Sequence, residues 1–344
     1  MVSPVALPTR KLGKDGPEVV ALGFGLMGLS AGYGTPEPDE DRLKVLDRAW
    51  EIGATNWDTS DAYGDSEVLV GKWFALRPER RQDIFLATKF GTRVKALNEN
   101  PVVEFDTSPA YAREACERSL KRLVIESIDL YYIHRLDSKT PVEKTIEEMA
   151  KLKSEGKIKY LGISECTSAA LRRAHAVHPI HAFQVEYNPW TLDIEGSSGT
   201  NLLQTTRGLG ITTVAYSPLG RGMLTGAIKT VDDFAPDDHR RFFPRFQGEN
   251  FAKNLELVDK FKELAVKRNV TPGQLALAWL LAQGSDTIPI PGTRKIKYLE
   301  ENFAALKIEL TREEEKEIRK LVDDAHVAGP RGIGIGEFLD SPEL

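Results

Sequence analysis

The sequence predicts an α/β fold, a (β/α)₈ barrel of the TIM class, and three observations predict it. Short apolar, β-rich runs alternate with amphipathic helical stretches along nearly the whole chain. Eight such runs can be read. Strict β–α alternation implies parallel strands joined by crossover helices, and eight units of that kind match a closed barrel. Such a barrel takes about 250 residues, and the chain has 344. The surplus falls at the ends and in two long connections, with no low-complexity linker. The expectation is one domain over 1–344, with the barrel over about 19–322 and a C-terminal tail over about 323–344.

The elements follow in order. TRKLGKDGPEVV reads as a small hairpin turning at Asp15-Gly16, placed to plug one end of the barrel. The strands are ALGFG (21–25), ATNWD (54–58), IFLATK (84–89), IDLYYIH (128–134), IKYLGIS (158–164), AFQVEY (182–187), ITTVAYS (211–217) and TIPIPG (287–292). Between them lie helices such as SPAYAREACERSLKRLV, PVEKTIEEMAKLKSEG and TPGQLALAWLLAQG; Gly156 ends the second in the C-cap position. The leucines of LALAWLLA are expected in the core. The long connections are FGTRVKALNENPVVEFDTSP after strand three and 218–250 after strand seven. The second carries Phe234, Phe242, Phe243 and Phe246, an aromatic set expected to cover a cofactor and wall a substrate site. The tail HVAGPRGIGIGEFLDSPEL has four glycines and no period, and reads as mobile or as a segment docked over the pocket or on a neighbour.

Composition bounds the function. With 41% hydrophobic residues, 28% charged residues and a net charge of −5, the chain reads as a soluble globular protein with ample core. No stretch approaches the eighteen or so apolar residues of a membrane span, so no membrane partner is expected. The N-terminal MVSPVALPTRKLG lacks a secretory apolar run, and the chain reads as cytoplasmic. Two cysteines, Cys116 and Cys166, argue against a disulfide framework. The acidic balance argues against a nucleic-acid partner. HAVHPIH spaces His175, His178 and His181 like a metal cluster, but Pro179 breaks any common helical face. A solvated turn, with no metal, is the expectation.

GFGLMG (23–28) fits G-x-G-x-x-G, the glycine fingerprint of dinucleotide-binding folds. That fingerprint must open a helix at once, because the phosphate sits on the helix N-terminus. Here LSAGYGTPEPDED follows, full of helix breakers, and the first convincing helix is PDEDRLKVLDRAWEIG. The motif fails its context test.

In barrels of this class the chemistry gathers at the C-terminal ends of the strands. Strand two ends in Asp58, with Tyr63 in the following loop; strand three ends in Lys89 and strand four in His134. Together they make a proton-donating set. A lysine ammonium about 4 Å from a tyrosine favours the phenolate by roughly 4 kcal/mol at an effective dielectric of 20, lowering its pKa by up to about 3. Asp58 would hold the lysine charged, and His134 would orient a substrate oxygen. Lys89 alone would also suit a Schiff-base aldolase.

WDTSDAYGDSE with LATKFG, DLYYIHRLD, LGISE, FQVEYNPW, AYSPLGRG and IPIPGTRKIKYLEEN resemble the aldo-keto reductases, in family order from about Thr9 to Leu321. LGFGLMGLSAGYG and AYSPLGRGMLTG resemble its microbial and plant branch, with YakC-type and perakine-reductase-like members. The resemblance implies an NADP(H)-dependent reduction of aldehydes or ketones, with hydride from nicotinamide C4 and Tyr63 as general acid. It makes Asp58 and Lys89 the partners of Tyr63, and His134 the group that orients the carbonyl. Ser164, Gln184 and Asn188 would hold the nicotinamide carboxamide, and Tyr216 would stack on its ring. Ser217, Leu219 and Arg221 would contact the pyrophosphate; Gly292, Thr293, Arg294, Glu301 and Asn302 would enclose the adenosine end. Arg294, Lys295 and Lys297 near a helix N-terminus favour a 2′-phosphate, although Tyr298 stands where better-known relatives carry an arginine. Phe24, Met27, Phe90 and Phe243 are the expected substrate wall, for an apolar or aromatic carbonyl. A redox-sensing nicotinamide-binding subunit of the same fold is the alternative. Monomer and homo-oligomer remain equally open.

Overall fold

The computed structural model describes residues 5–97, 100–197, 200–332 and 338–344. Ahead of the barrel, β1 (Thr9–Lys11) and β2 (Glu18–Val20) pair antiparallel. The chain then runs through β3 (Phe24–Gly25), β4 (Asn56–Asp58) and β5 (Phe85–Phe90). A second antiparallel hairpin, β6 (Thr92–Leu97) and β7 (Asn100–Phe105), fills the long connection after β5. The remaining strands are β8 (Ile128–Ile133), β9 (Ile158–Ser164), β10 (Ala182–Glu186), β11 (Thr212–Tyr216) and β12 (Thr287–Pro289). The eight-stranded sheet has the order β3-β4-β5-β8-β9-β10-β11-β12, and each neighbouring pair is parallel.

The seam between first and last strands explains GFGLMG. Gly23 N donates to Pro289 O at 2.9 Å and Gly25 N to Pro291 O at 3.1 Å, and Gly25 bridges Gly292 in parallel. A Cβ on Gly23 would lie 2.6 Å from Ile290 Cγ2, and one on Gly25 would lie 2.9 Å from Ile290 O. The glycines let two backbones close the barrel.

Side chains alternate between the barrel interior and the helix layer. Leu12, Val19, Ala87, Leu130, Tyr132, Val214 and Ile288 pack inside, so the N-terminal hairpin does plug one end. Its turn is wider than Asp15-Gly16 alone: Leu12 N donates to Pro17 O at 2.9 Å, because Leu12 turns into the barrel and is 2% exposed. Arg10 ties the plug down by donating to Gly284 O at 2.8 Å and Leu281 O at 2.6 Å.

The outer layer includes α1 (Asp39–Glu51), α2 (Ser66–Leu76), α3 (Pro109–Leu123), α4 (Val142–Ser154) and α5 (Ser168–Val177). It continues through α6 (Leu202–Leu209), α7 (Gly248–Lys267), α8 (Pro272–Ala282), α9 (Ile296–Ala304) and α10 (Arg312–Asp323). Leu275, Leu277, Trp279 and Leu280 of α8 are fully buried, as expected of an all-apolar helix. Among the described residues, no helix is long and apolar enough to cross a membrane.

The tail follows the docked of its two expected readings, and one of the three histidines departs from expectation. The tail docks: Leu339 bridges Cys166, Thr167 N donates to Leu339 O at 3.0 Å, and Arg173 donates to Ser341 Oγ and Pro342 O, both at 2.6 Å. Residues 333–337 lie outside the described residues. Of the three histidines, His181 is buried against Tyr160 rather than solvated, and burial pushes its imidazole down to about 4. Among the described residues no cluster of ligating side chains could hold a metal ion.

Candidate active site

Asp58 ends β4 and Lys89 is the penultimate residue of the adjacent β5, and the barrel register turns both inward. Lys89 is fully buried. Its Nζ donates to Asp58 Oδ1 at 2.5 Å, to Thr59 O at 2.7 Å and to Tyr63 Oη at 3.3 Å, which uses all three ammonium hydrogens. Burial disfavours the ammonium, but Asp58 and the Tyr63 phenol outweigh it and hold Lys89 above its ordinary range. Asp58 is fixed from its other side by Gln184 Nε2, which donates to Oδ2 at 2.7 Å.

Tyr63 and His134 meet edge to face, with ring centroids 5.6 Å apart at 85°. His134 N donates to Phe90 O at 2.7 Å, anchoring the histidine to β5. Burial, then Lys89 and Arg135, push the His134 imidazole well below its ordinary value, so it is neutral. Tyr63 corrects one expectation. Lys89 does favour its phenolate, but burial is the larger effect and leaves the phenol above its ordinary value of 10. At neutral pH Tyr63 therefore holds its proton, with a cation behind it ready to stabilise the anion.

These groups form the floor of a cavity of about 720 Å³. Asp58, Tyr63, His134, Ser164, Gln184, Tyr216, Ser217, Leu219, Arg221, Gly292, Thr293, Arg294, Glu301 and Asn302 all border it, and Lys89 lies beneath. Met27 and Phe243 are on the wall, but Phe24 and Phe90 are not. Both are fully buried in the helix-facing core, Phe90 stacked on Tyr131 at 4.9 Å. The reason is strand parity: Gly25 and Lys89 face inward, so their neighbours face out. Tyr33 and Ile228 border the cavity instead. Asn188 is also buried away from it; its Nδ2 donates to Ser217 O at 2.9 Å and braces the loop after β11.

That loop carries strain. Ser217 and Arg221 have φ of 49° and 56°, a left-handed conformation that costs a non-glycine residue about 1–3 kcal/mol. Arg221 is held by Glu186 at 3.2 Å and lies over the Phe243 ring at 4.5 Å. At the far end of the cavity, Lys295 N donates to Thr293 Oγ1 at 3.1 Å, and the first turn of α9 has no acidic residue. Arg294 donates to Thr35 O at 3.2 Å. Among the described residues no carboxylate pairs with Arg294, Lys295 or Lys297.

Sequence reasoning missed a buried ionic cluster beside the cavity. Glu165, fully buried, receives Arg331 Nη1 and Nη2 from the tail at 2.9 and 2.7 Å and lies 3.7 Å from Arg135 Nη1. Arg135 Nη2 donates to Tyr216 Oη at 3.3 Å. Cys166 adjoins the cluster, and burial pushes its thiol up, so it is not a thiolate.

A second, polar cavity of about 490 Å³ is bordered by Asp61, Tyr111, Arg118 and Arg122. Burial, then Glu67, push the Asp61 carboxyl up to about 7 despite Arg118 at 3.3 Å. A carboxyl raised on folding contributes stability at low pH that is lost as pH climbs from its unfolded value near 4 to its folded value. Asp61→Asn is therefore expected to stabilise the protein by about 1–3 kcal/mol more at pH 8 than at pH 5. Urea unfolding at both pH values checks this; equal effects would place the carboxyl in its ordinary range.

The Aldo/keto reductase family profile matches residues 21–323. Aldo-keto reductase str7 of Strobilurus tenacellus is 52% identical over 98% of this chain and 99% of its own. Aldo-keto reductase yakc [NADP(+)] of Schizosaccharomyces pombe is 49% identical over 99% of both chains. Among solved structures, the glycerol dehydrogenase AKR11B4 from Gluconobacter oxydans superposes with a TM-score of 0.81 at 31% identity, over 92% of this chain and 95% of that one. A barrel whose strand ends gather an aspartate, a tyrosine, a lysine and a histidine at one cavity, matched along its whole length by such relatives, belongs to the aldo/keto reductase family.

Proposed function

We propose that the protein reduces aldehydes or ketones to alcohols with NADPH, using Tyr63 as the general acid. The observation that carries this reading is the protonated Tyr63 phenol at the cavity floor, with the Lys89–Asp58 pair behind it and neutral His134 beside it. The cavity fits a dinucleotide: it runs from Ser164, Gln184 and Tyr216 to Arg294 and Asn302. Its middle is the left-handed turn at Ser217–Arg221, and its far end is a helix N-terminus with cations. When bound there, the nicotinamide supplies a hydride from C4 to the carbonyl carbon.

The chain's own residues do the rest. His134, carrying one N–H, hydrogen-bonds the carbonyl oxygen and fixes its direction. Tyr63 gives its proton to that oxygen as the alkoxide develops. Lys89 stabilises the phenolate left behind, and Asp58, held by Gln184, keeps Lys89 charged and in place. Met27, Tyr33, Ile228 and Phe243 favour an apolar or aromatic carbonyl. Lys89 is a poor Schiff-base nucleophile here, because it is buried, charged and fully hydrogen-bonded. Borohydride is expected to trap no substrate on it.

The test is loss of nicotinamide absorbance with NADPH, and separately NADH, across aromatic and aliphatic aldehydes. Turnover with NADPH preferred supports the reading; tight NADPH binding without turnover would favour a redox-sensing role. Arg294 and Lys295 are the cations best placed for a 2′-phosphate. Arg294→Ala is expected to reduce the NADPH preference in kcat/KM by about 10-fold or more, the equivalent of one charge-assisted hydrogen bond of about 1.5–3 kcal/mol. An unchanged ratio would assign the phosphate to other residues.

A further inference from the structure

A neutral imidazole carries one hydrogen, so His134 can hydrogen-bond a carbonyl oxygen only if that hydrogen is on the nitrogen facing the cavity. His134 Nδ1 faces inward, 3.2 Å from Ser60 Oγ. No described residue hydrogen-bonds Nε2, and His134 borders the cavity. Ser60 is 1% exposed, two residues beyond Asp58. Its oxygen accepts Ala62 N–H at 3.2 Å, and its one hydroxyl hydrogen is there to be donated. Three acceptors compete for it: His134 Nδ1 at 3.2 Å, and Asp61 Oδ1 and Lys89 O, each at 3.5 Å. The imidazole is the nearest, and the other two sit at the limit of hydrogen-bond length.

We infer that Ser60 is a positioning residue: its hydroxyl donates to His134 Nδ1 and so fixes the tautomer with the proton on Nε2, toward the substrate oxygen. The inference rests on the reductase reading for its consequence in turnover, but not for the tautomer itself. The other tautomer would donate Nδ1–H to the second lone pair of that hydroxyl and turn the hydroxyl hydrogen to Asp61 Oδ1 or Lys89 O, each only at the 3.5 Å limit. That arrangement would also leave a bare Nε2 unable to donate to a carbonyl.

The experiment is nitrogen NMR of protein labelled at histidine, with the His134 signals assigned by their loss in His134→Asn. Wild type is expected to show a bare Nδ1 and a protonated Nε2. Ser60→Ala is expected to populate the Nδ1–H form and to lower kcat about three- to ten-fold, as loss of one neutral hydrogen bond does, with KM for coenzyme unchanged. Ser60→Thr keeps a hydroxyl and is expected to keep the wild-type tautomer. Wild-type His134 protonated on Nδ1, or a Ser60→Ala spectrum identical to wild type, would overturn the inference. If Ser60→Ala does not fold, the wild-type and Ser60→Thr spectra decide. Absent turnover with the tautomer intact would count against the reductase reading, and not against Ser60.

Discussion

Tyr63→Phe is expected to lower kcat for carbonyl reduction by about 10²–10⁴-fold, the span that a positioned general acid contributes. The variant deletes one oxygen and little else. Lys89 keeps Asp58 and Thr59 O as partners when the 3.3 Å contact to the phenol is lost, so the buried charge stays compensated. Coenzyme binding should be unchanged, since the phenol is not among the residues assigned to the dinucleotide. The fold should be intact by circular dichroism. Measured with NADPH and one good aldehyde, a kcat within about three-fold of wild type would show that the proton comes from elsewhere, with His134 the first candidate. The pH profile adds a second reading. Because burial holds Tyr63 above 10 and His134 well below 6.5, neither group should produce an ionisation step in kcat between those limits.

The same contrast marks what was legible in the sequence. Asp58, Lys89 and His134 stood out because each ends an apolar run, where an ionisable group has a reason to be. Their direction into the barrel also fixes that Phe90 points out, a parity argument available from the sequence that would have removed it from the substrate wall. What the sequence does not carry is depth. It names Lys89 as the neighbour of Tyr63, but the sign of the Tyr63 shift depends on how much water is excluded, and that is a property of the assembled cavity. GFGLMG shows the same limit: its glycines answer to Pro289, Ile290 and Pro291, which are remote in the chain and adjacent at the seam. The Arg331–Glu165 pair was hidden for a further reason. Its partners are 166 positions apart, and Arg331 lies in a glycine-rich tail with no period to announce that it packs.

Arg331→Met is expected to destabilise the protein at neutral pH by about 3–5 kcal/mol, the usual cost of removing one partner from a buried ion pair. Glu165 is fully buried, and burial alone would raise its carboxyl; Arg135 and Arg331 outweigh burial and hold it below the ordinary carboxylate value. In the variant Arg135 remains, but at 3.7 Å and without a hydrogen bond, while Glu186 N still donates to Oε1 at 3.0 Å. A carboxyl lowered on folding contributes stability above its unfolded pKa that is lost as pH falls through its folded value. The deficit of Arg331→Met should therefore be largest at pH 7 and above, and shrink toward pH 4 as Glu165 becomes protonated in the variant. Adding Glu165→Gln should restore part of the loss at pH 7, because the carboxylate deprived of its bidentate partner is gone while Arg135 keeps Tyr216 Oη. Urea unfolding of wild type, both single variants and the double variant at pH 7 and pH 5 measures each step. A loss below about 1 kcal/mol, in the range of an exposed pair, would mean that Arg135 alone holds Glu165. The full loss with recovery in the double variant would make the C-terminal tail a structural wall of the active site, because Leu339 N also donates to Glu165 O at 3.1 Å, beside Ser164.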